Sequence, residues 1–193
     1  PAFMVHTGGV VERGGVKDYW NWYFKSLGDN GASIPSFVAI GNHDTLGTPF
    51  YFDLHFNHPN NGGAAAFDMD YINANVTNSS ILNNLKTPDE LTYSYDYGDV
   101  HFTVLYTGSY SNDDRYLLEA QREWLTNDLK NSNAKWKIMI IHEPVYHRVG
   151  GYESRPWLFD VIEGNGVDLV LQGHSHLVTR TYPMMNGQIV SKK

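Results

Sequence analysis

Three apolar runs of this chain each end at side chains that commonly bind metal ions. In chain order, the runs and the residues that follow them are 34–40 with Gly41-Asn42-His43-Asp44, 136–141 with His142, and 167–171 with Gln172-Gly173-His174-Ser175-His176. A short apolar run bounded by turn residues predicts a buried strand of a parallel sheet. Because ligands of open α/β sheets bind beyond the carboxyl ends of such strands, the three clusters predict a metal site at one sheet edge.

The composition indicates a globular domain and excludes several classes of partner. The chain has 193 residues, of which 41% are apolar and 14% aromatic, enough for one domain with a substantial core. Its net charge of −7 is not gathered into blocks, which argues against nucleic acid or a membrane surface as partner. The sequence contains no run of about 18 apolar residues, so no transmembrane helix is predicted. With no cysteine, a metal must bind to histidine, amide or carboxylate side chains.

The pattern of apolar and turn residues predicts a mixed α/β order of elements. The predicted strands are 2–7, 35–40, 92–97, 101–106, 136–141 and 167–171. The predicted helices are 16–27, which ends at Gly28, 118–131 and 156–163. The hairpin in the middle and the strand–helix–strand order at the end favour a mixed sheet. Residues 47–90, rich in Asn, Gly and Pro, are expected to form a long insertion with one helix near 78–86.

Each polar cluster, taken alone, has a simpler explanation. Asn42-His43-Asp44 after a strand fits an Asx turn or a helix cap, and His142 fits a hydrogen-bonded histidine at a strand end. His174 and His176 fit an exposed loop equally well. The occurrence of all three clusters at strand ends favours the metal site. In an extended backbone, positions i and i+2 face the same side, so we expect His174 and His176 to face one metal pair.

Two other catalytic motifs are excluded, one by its spacing and a proline and the other by a missing glycine. His142 and His147 are five residues apart, one more than in the zinc-protease motif, and Pro144 would break the helix that this motif requires. Ser175 lies in a Gly-His-Ser-His-Leu sequence, which lacks the closing glycine of a nucleophile elbow. The metal site therefore explains the three clusters better than either motif does.

Taken together, Gly41-Asn42-His43-Asp44, His142 and Gly173-His174-Ser175-His176 resemble three successive signatures of the calcineurin-like metallophosphoesterases. The flanking segments are similar to the purple-acid-phosphatase-like branch of that superfamily; they are 95–102, 121–129, 135–137 and 180–183. The resemblance covers nearly the whole chain. It implies a four-layer α/β/β/α sandwich with mixed sheets. It also implies a two-metal phosphoesterase that hydrolyses phosphate mono- or diesters with a metal-activated water.

The resemblance further implies which residues bind the metals. Asn42, His142 and His174 would hold one metal, and His176 would hold the other. Neutral imidazole and amide ligands suit zinc, iron or manganese. Two such ions are expected for the family.

Catalytic and substrate-binding roles follow from the same resemblance. His43 would meet the phosphate and help protonate the leaving group, and Asp44 would orient His43. The partner would be a small phosphorylated substrate. His147 and Arg148 are candidates for binding it, although a solvated loop is at least as good an explanation of these two residues.

Two parts of the family pattern are not found in this sequence. An Asp-x-His is expected on a strand before Pro1, so we expect the first strand to be missing and the single domain 1–193 to be incomplete at both ends. Gly9 stands where the aspartate that bridges both metals is expected, so that ligand position is lost. Glu12 stands where purple enzymes carry their tyrosine.

Electrostatics decides how many metals such a site can hold. Two divalent ions about 3.5 Å apart repel by roughly 19 kcal/mol at an effective dielectric constant near 20, and bridging anions offset this repulsion. The four implied ligands are all neutral. We therefore predict one metal or none in this chain, and poor hydrolysis of phosphate esters. The alternatives are a catalytically impaired fragment or pseudoenzyme that binds one metal or a phosphate ligand, and a structural zinc module.

A missing central strand would leave an exposed sheet edge, which favours association with another chain. Either the domain forms a homodimer through this edge, or the sequence is one piece of a longer protein. The sequence does not determine the compartment; an extracellular or periplasmic location is implied only by the family resemblance.

Overall fold

The structure, a computed structural model, describes residues 1–47, 50–62, 91–106, 119–146 and 158–192. The strands in these ranges are β1 Met4–His6, β2 Ser36–Val38, β3 Tyr93–Tyr97, β4 Val100–Leu105, β5 Trp136–Ile141, β6 Leu169–Gln172, β7 Met184–Met185 and β8 Gln188–Ile189. The α-helices are α1 Lys17–Ser33, α2 Phe50–His55, α3 Glu119–Asn131 and α4 Phe159–Gly164. A short 3₁₀ turn spans His43–Thr45.

The strands form two sheets and a separate small hairpin. In sheet A, β1 and β2 are parallel, with Val5 opposite Phe37. In sheet B the order is β3-β4-β5-β6, with β3 antiparallel to β4 and the other neighbours parallel. Strands β7 and β8 pair only with each other among the described residues. The predicted mixed sheet is therefore confirmed.

Alternating side chains along the strands divide the core into three layers, because successive residues of a strand face opposite sides. On β5, Ile140 packs between the two sheets, whereas Met139 and Ile141 pack with the residues of α3 and α4. On β2, Phe37 packs between the sheets and Val38 packs with the residues of α1 and α2. The resulting order is the four-layer α/β/β/α sandwich that the resemblance implied.

The strongest sequence patterns predicted their elements well. The hairpin β3–β4, the strand β5 and the helix α3 are confirmed almost to the residue. Helix α1 does not end at Gly28 as expected but continues to Ser33. Gly28 interrupts the helical backbone with φ 55° and ψ −143°, values that glycine reaches at little cost, and the helix then resumes.

Two elements were missed, although one of them carries a local signal. Helix α2 lies within residues 47–90, which were expected to form an insertion; the helix expected near 78–86 falls outside the described residues. The β7–β8 hairpin turns at Asn186-Gly187, with φ 50° and 69°, the sequence and backbone typical of a tight type I′ turn. Within the described ranges, no helix combines the length and hydropathy needed to cross a membrane.

A buried histidine ties the β3–β4 hairpin to α3. His101 is 6% exposed, and its Nδ1 and Nε2 lie 2.7 Å from Asp96 Oδ1 and 2.9 Å from Asp128 Oδ2. Because ionised carboxylates only accept hydrogen bonds, both contacts require a proton on each ring nitrogen. Burial lowers the pKa of His101, but the hydrogen bonds and charges of Asp128 and Asp96 outweigh burial and raise it. Lys137 lies opposite His101 on β5, but its ammonium group donates to the Leu129 carbonyl rather than to Asp96 or Asp128.

This contact predicts that the stability of the protein falls as the pH rises. A histidine whose pKa is raised by folding stabilises fully below the unfolded-state pKa of about 6.5, and that contribution is lost as the pH rises through the folded-state pKa. We expect His101→Gln to lower the free energy of unfolding by about 1.5–3 kcal/mol near pH 5.5, and by less near pH 9.

Urea denaturation of metal-free protein at several pH values measures this difference. The control is His176→Gln, which alters an exposed histidine and should produce no such trend. A deficit of His101→Gln that stays constant between these pH values contradicts the predicted protonation.

Candidate metal centre

His142 follows β5, and a hydrogen bond fixes the protonation of its ring. Nδ1 lies 2.7 Å from the carbonyl oxygen of Thr7. A carbonyl oxygen only accepts, so Nδ1 carries the proton. Burial lowers the pKa of His142 to about 4, and the nearby His174, His43 and His6 act in the same direction. The ring is therefore neutral at physiological pH, with the lone pair of Nε2 available to a cation.

An amide oxygen and a second imidazole nitrogen converge on that nitrogen. Asn42 Oδ1 lies 3.0 Å from His142 Nε2, and His174 Nδ1 lies 3.3 Å from it. With its single proton on Nδ1, His142 has none to share with the Asn42 oxygen. Acceptor atoms that face one another without a proton between them are expected where ligands surround a metal ion. The donor set of one amide oxygen and two imidazole nitrogens fits one zinc, iron or manganese ion.

The backbone after β6 departs from the extended conformation that the sequence suggested. His174 has φ 68° and His176 has φ 52°, both in the left-handed region, so the expected i, i+2 geometry is wrong here. His174 turns towards His142, whereas His176 is exposed. No hydrogen bond or ring contact among the described residues joins His176 to the other three predicted ligands. Its role at a second metal stays a prediction.

Asp44 organises the loops that surround the site. Its carboxylate is fully buried and accepts hydrogen bonds from the backbone N–H groups of Gly9, Val11 and Gly41, at 2.8, 3.1 and 2.8 Å. Burial raises the pKa of Asp44, and the backbone hydrogen bonds act in the opposite direction. These contacts join the segment after β1 to the end of β2, which is how a local Asn-His-Asp sequence comes to lie beside His142.

His43 has a different partner from the one expected. Its Nδ1 lies 2.9 Å from the backbone carbonyl of Glu12 and 3.7 Å from the Glu12 carboxylate, whereas the hydrogen bonds found for Asp44 go to backbone groups. Glu12 therefore orients His43 in this structure. The catalytic roles of His43 and Asp44 stay predictions, and the proposed substrate residues His147 and Arg148 fall outside the described residues.

Gly9 lies directly beside His142. A Cβ atom built on it would be 3.1 Å from Cε1 and 3.9 Å from Nε2 of His142. A carboxylate at this position would therefore start within reach of His142 Nε2, but the chain has none there. Among the residues that the structure describes, no group of three or more histidine, aspartate or glutamate side chains is arranged to hold a metal ion. Asn42, His142 and His174, an amide and two imidazoles, stay the candidate metal ligands.

Two partners of the site had no signal in the sequence. Thr7 and Glu12 contact His142 and His43 through their backbone carbonyl oxygens. Every residue carries this group, so no residue type at these positions could have predicted the contacts.

The sandwich and the ligands at its edge define a metallophosphoesterase domain. The family model described as calcineurin-like phosphoesterase matches residues 1–178, and the chain belongs to this family, in its purple-acid-phosphatase-like branch. Purple acid phosphatase PPD1 from yellow lupin seeds has the same fold, with a TM-score of 0.65 and 19% identity over 99% of this chain and 34% of that one.

Three relatives match at the level of sequence. Purple acid phosphatase 18 of Arabidopsis thaliana is 30% identical over 162 residues, covering 80% of this chain and 32% of that protein. Acid phosphatase type 7 of Mus musculus is 31% identical over 121 residues, covering 51% and 28%. Probable inactive purple acid phosphatase 9 of Arabidopsis thaliana is 25% identical over 203 residues, covering 96% and 31%. The chain thus spans about a third of the length of these relatives.

Removal of the Asp44 carboxylate should destabilise the protein strongly. Asp44→Ala leaves three backbone N–H groups without their acceptor, and we expect a loss of about 2–4 kcal/mol in the free energy of unfolding. Chemical denaturation of the metal-free protein measures this loss.

The matched control is Asp160→Ala, which removes an exposed carboxylate paired with Arg122 at 2.7 Å. An exposed ion pair contributes about 0–1 kcal/mol, so this variant should be nearly as stable as the wild type. Equal losses in the two variants would show that the Asp44 contacts do not hold the loops.

Proposed function

We propose that this chain is a metallophosphoesterase domain that holds one divalent metal ion on Asn42, His142 and His174 and hydrolyses phosphate esters slowly. The convergence of Asn42 Oδ1 and His174 Nδ1 on the unprotonated Nε2 of His142 carries the proposal. Zinc, iron or manganese suits these ligands. Relatives that are named acid phosphatases support a phosphorylated small molecule as substrate.

The metal would act as a Lewis acid and lower the pKa of a bound water. The residues of the chain have the remaining tasks in this proposal. His142 is kept neutral by burial, against the opposing effect of its bond to Thr7 on the pKa, so it binds the cation without first losing a proton. As a water oxygen bonds to phosphorus and the ester P–O bond breaks, protonated His43 would give its proton to the departing oxygen, and the proton released by the attacking water would return to His43 through solvent. The Glu12 carbonyl holds the His43 ring in a fixed orientation for this step.

The charge of the site limits the proposal to one ion. Asn42, His142 and His174 are neutral, and the oxygens of the nearby Asp44 are occupied by backbone N–H groups. Gly9 supplies no carboxylate to offset the repulsion between two divalent ions. With one ion the transition state loses part of the electrostatic stabilisation that a two-metal clamp provides, so turnover should be slow.

A second candidate is a pseudoenzyme that binds one metal or a phosphate ligand without hydrolysing it. A glycine at position 9, beside the His142 ring, favours this candidate because it supplies no bridging carboxylate. One relative that aligns with 96% of the chain is itself named a probable inactive purple acid phosphatase. The two candidates share the metal site and differ in turnover.

Zinc titration tests the proposed metal site directly. By isothermal calorimetry, the wild type should bind one equivalent of Zn²⁺ tightly. Because the loss of a residue that merely supports a metal ligand costs 10–100-fold in affinity, His142→Ala should cost at least about 100-fold. His176→Ala is the comparison variant and should retain the tight site. Two tight equivalents in the wild type, or loss of tight binding in His176→Ala, contradicts the one-metal proposal.

Insertion of a carboxylate at Gly9 tests what limits turnover. Gly9 has φ +67°, which aspartate tolerates better than most residues do. We expect Gly9→Asp to increase bound zinc above one equivalent. It should also raise hydrolysis of p-nitrophenyl phosphate at least about tenfold, equivalent to about 1.4 kcal/mol of barrier.

Gly166→Asp is the matched control for this variant. Gly166 has φ +71°, and a Cβ atom there would meet nothing within 4 Å, so it adds the same charge without approaching the ligands. If neither variant hydrolyses the substrate and Gly9→Asp binds no additional zinc, the pseudoenzyme becomes the better conclusion.

A further inference from the structure

The side chain of Gln172 joins the ends of two neighbouring strands. Gln172 is the last residue of β6, and His174 follows two positions later. Its Oε1 accepts hydrogen bonds from the N–H groups of Val145 at 3.0 Å and Tyr146 at 3.5 Å. Its Nε2 donates to the carbonyl oxygen of Tyr146 at 3.0 Å. One amide thus contacts the backbone of the loop that begins at His142.

These contacts supply the hydrogen-bond partners that a neighbouring strand would otherwise give to the loop backbone. Strand β5 ends at Ile141, so the peptide groups of Val145 and Tyr146 lie outside the β-ladder. Val145 is fully buried, and a buried N–H without an acceptor would be unfavourable. An amide carries both a donor and an acceptor, so Gln172 can satisfy N–H and C=O groups of one loop together. The Gly173 N–H adds a bond to the His142 carbonyl at 2.9 Å.

The other side of the loop is anchored independently. The Tyr146 hydroxyl donates to Glu163 at 2.8 Å, and its ring stacks on Phe159 with a centroid separation of 4.8 Å. Both partners belong to α4. The loop should therefore stay folded without Gln172, but its distance from the end of β6 would no longer be held by a side chain.

We propose that Gln172 is a positioning residue that sets the separation of the His142 and His174 rings. His142 begins the loop that Gln172 holds, and His174 follows Gln172 in a left-handed conformation at φ 68°. The two ring nitrogens lie 3.3 Å apart, which is close enough for both to face one cation. The geometric claim stands on these contacts alone, and its consequence for metal affinity rests on the proposed function.

The first test uses metal-free protein and NMR. In Gln172→Ala we expect hydrogen exchange at the Val145 amide to accelerate at least about tenfold, and the nuclear Overhauser contact between the two imidazoles to weaken. Gln172→Glu keeps an acceptor for the Val145 N–H but loses the donor to the Tyr146 carbonyl. Its exchange rate and its imidazole contact should therefore lie between those of the wild type and those of Gln172→Ala.

The matched control is Asn165→Ala. It removes another amide that bonds a backbone carbonyl, that of Val161 at 2.7 Å, near the start of β6 rather than its end. Both NMR signals should be unchanged in this variant.

The second test is zinc titration of the same variants. Loss of a residue that supports metal ligands weakens affinity by about 10–100-fold, and Gln172→Ala should fall in this range while Asn165→Ala stays at the wild-type value. Unchanged imidazole contact in Gln172→Ala overturns the positioning role. Altered contact with unchanged zinc affinity overturns the predicted consequence of that role for metal binding. A wild type that binds no zinc refutes the proposed function instead, and the NMR comparison then decides the role of Gln172 alone.

Discussion

The hydrogen bond from His142 Nδ1 to the Thr7 carbonyl is the contact on which the rest of the site depends. It joins the end of β5 in sheet B to the segment after β1 in sheet A, so it fixes the relative position of the two sheets at this edge. Because a carbonyl oxygen can only accept, the bond also selects the tautomer that leaves Nε2 unprotonated. Burial keeps that ring neutral. Asn42 and His174 then need only approach a single nitrogen.

The neutrality of the proposed ligand set is linked to how the buried carboxylate of Asp44 is used. Asp44 is buried beside the ligands, yet its two oxygens bond to backbone N–H groups of Gly9, Val11 and Gly41 and thereby shape the loops. A carboxylate engaged in this way contributes order rather than a direct bond to a cation. The position from which a second carboxylate could act, Gly9, has no side chain. In the one-metal proposal, the loop architecture and the number of metal ions therefore depend on the same segments.

The sequence predicted the elements in which buried side chains recur with the period of the secondary structure, every two residues in a strand or about every 3.6 residues in a helix. On β5, alternating apolar residues face two different core layers, so a continuous apolar run correctly indicated a strand covered on both sides. Helix α2 was missed because it is only six residues long, and its buried Phe52 packs against Trp20 of α1, a contact that no local pattern contains. The β7–β8 hairpin was within reach of sequence reasoning, since Asn186-Gly187 is a strong turn signal.

By itself, the apolar periodicity of the sequence determined the mixed α/β order and the delivery of Asn42, His142 and His174 to the ends of buried strands, because periodicity is a local property of the chain. The layered sandwich was expected only from the family resemblance of the motifs. Only the tertiary structure decided which atoms meet at these strand ends. Thr7 and His142 are 135 residues apart, and the backbone carbonyls and N–H groups that orient His142, His43 and Asp44 are the same in every residue. Contacts of this kind leave no pattern in the sequence, since they arise only when packing brings distant segments together.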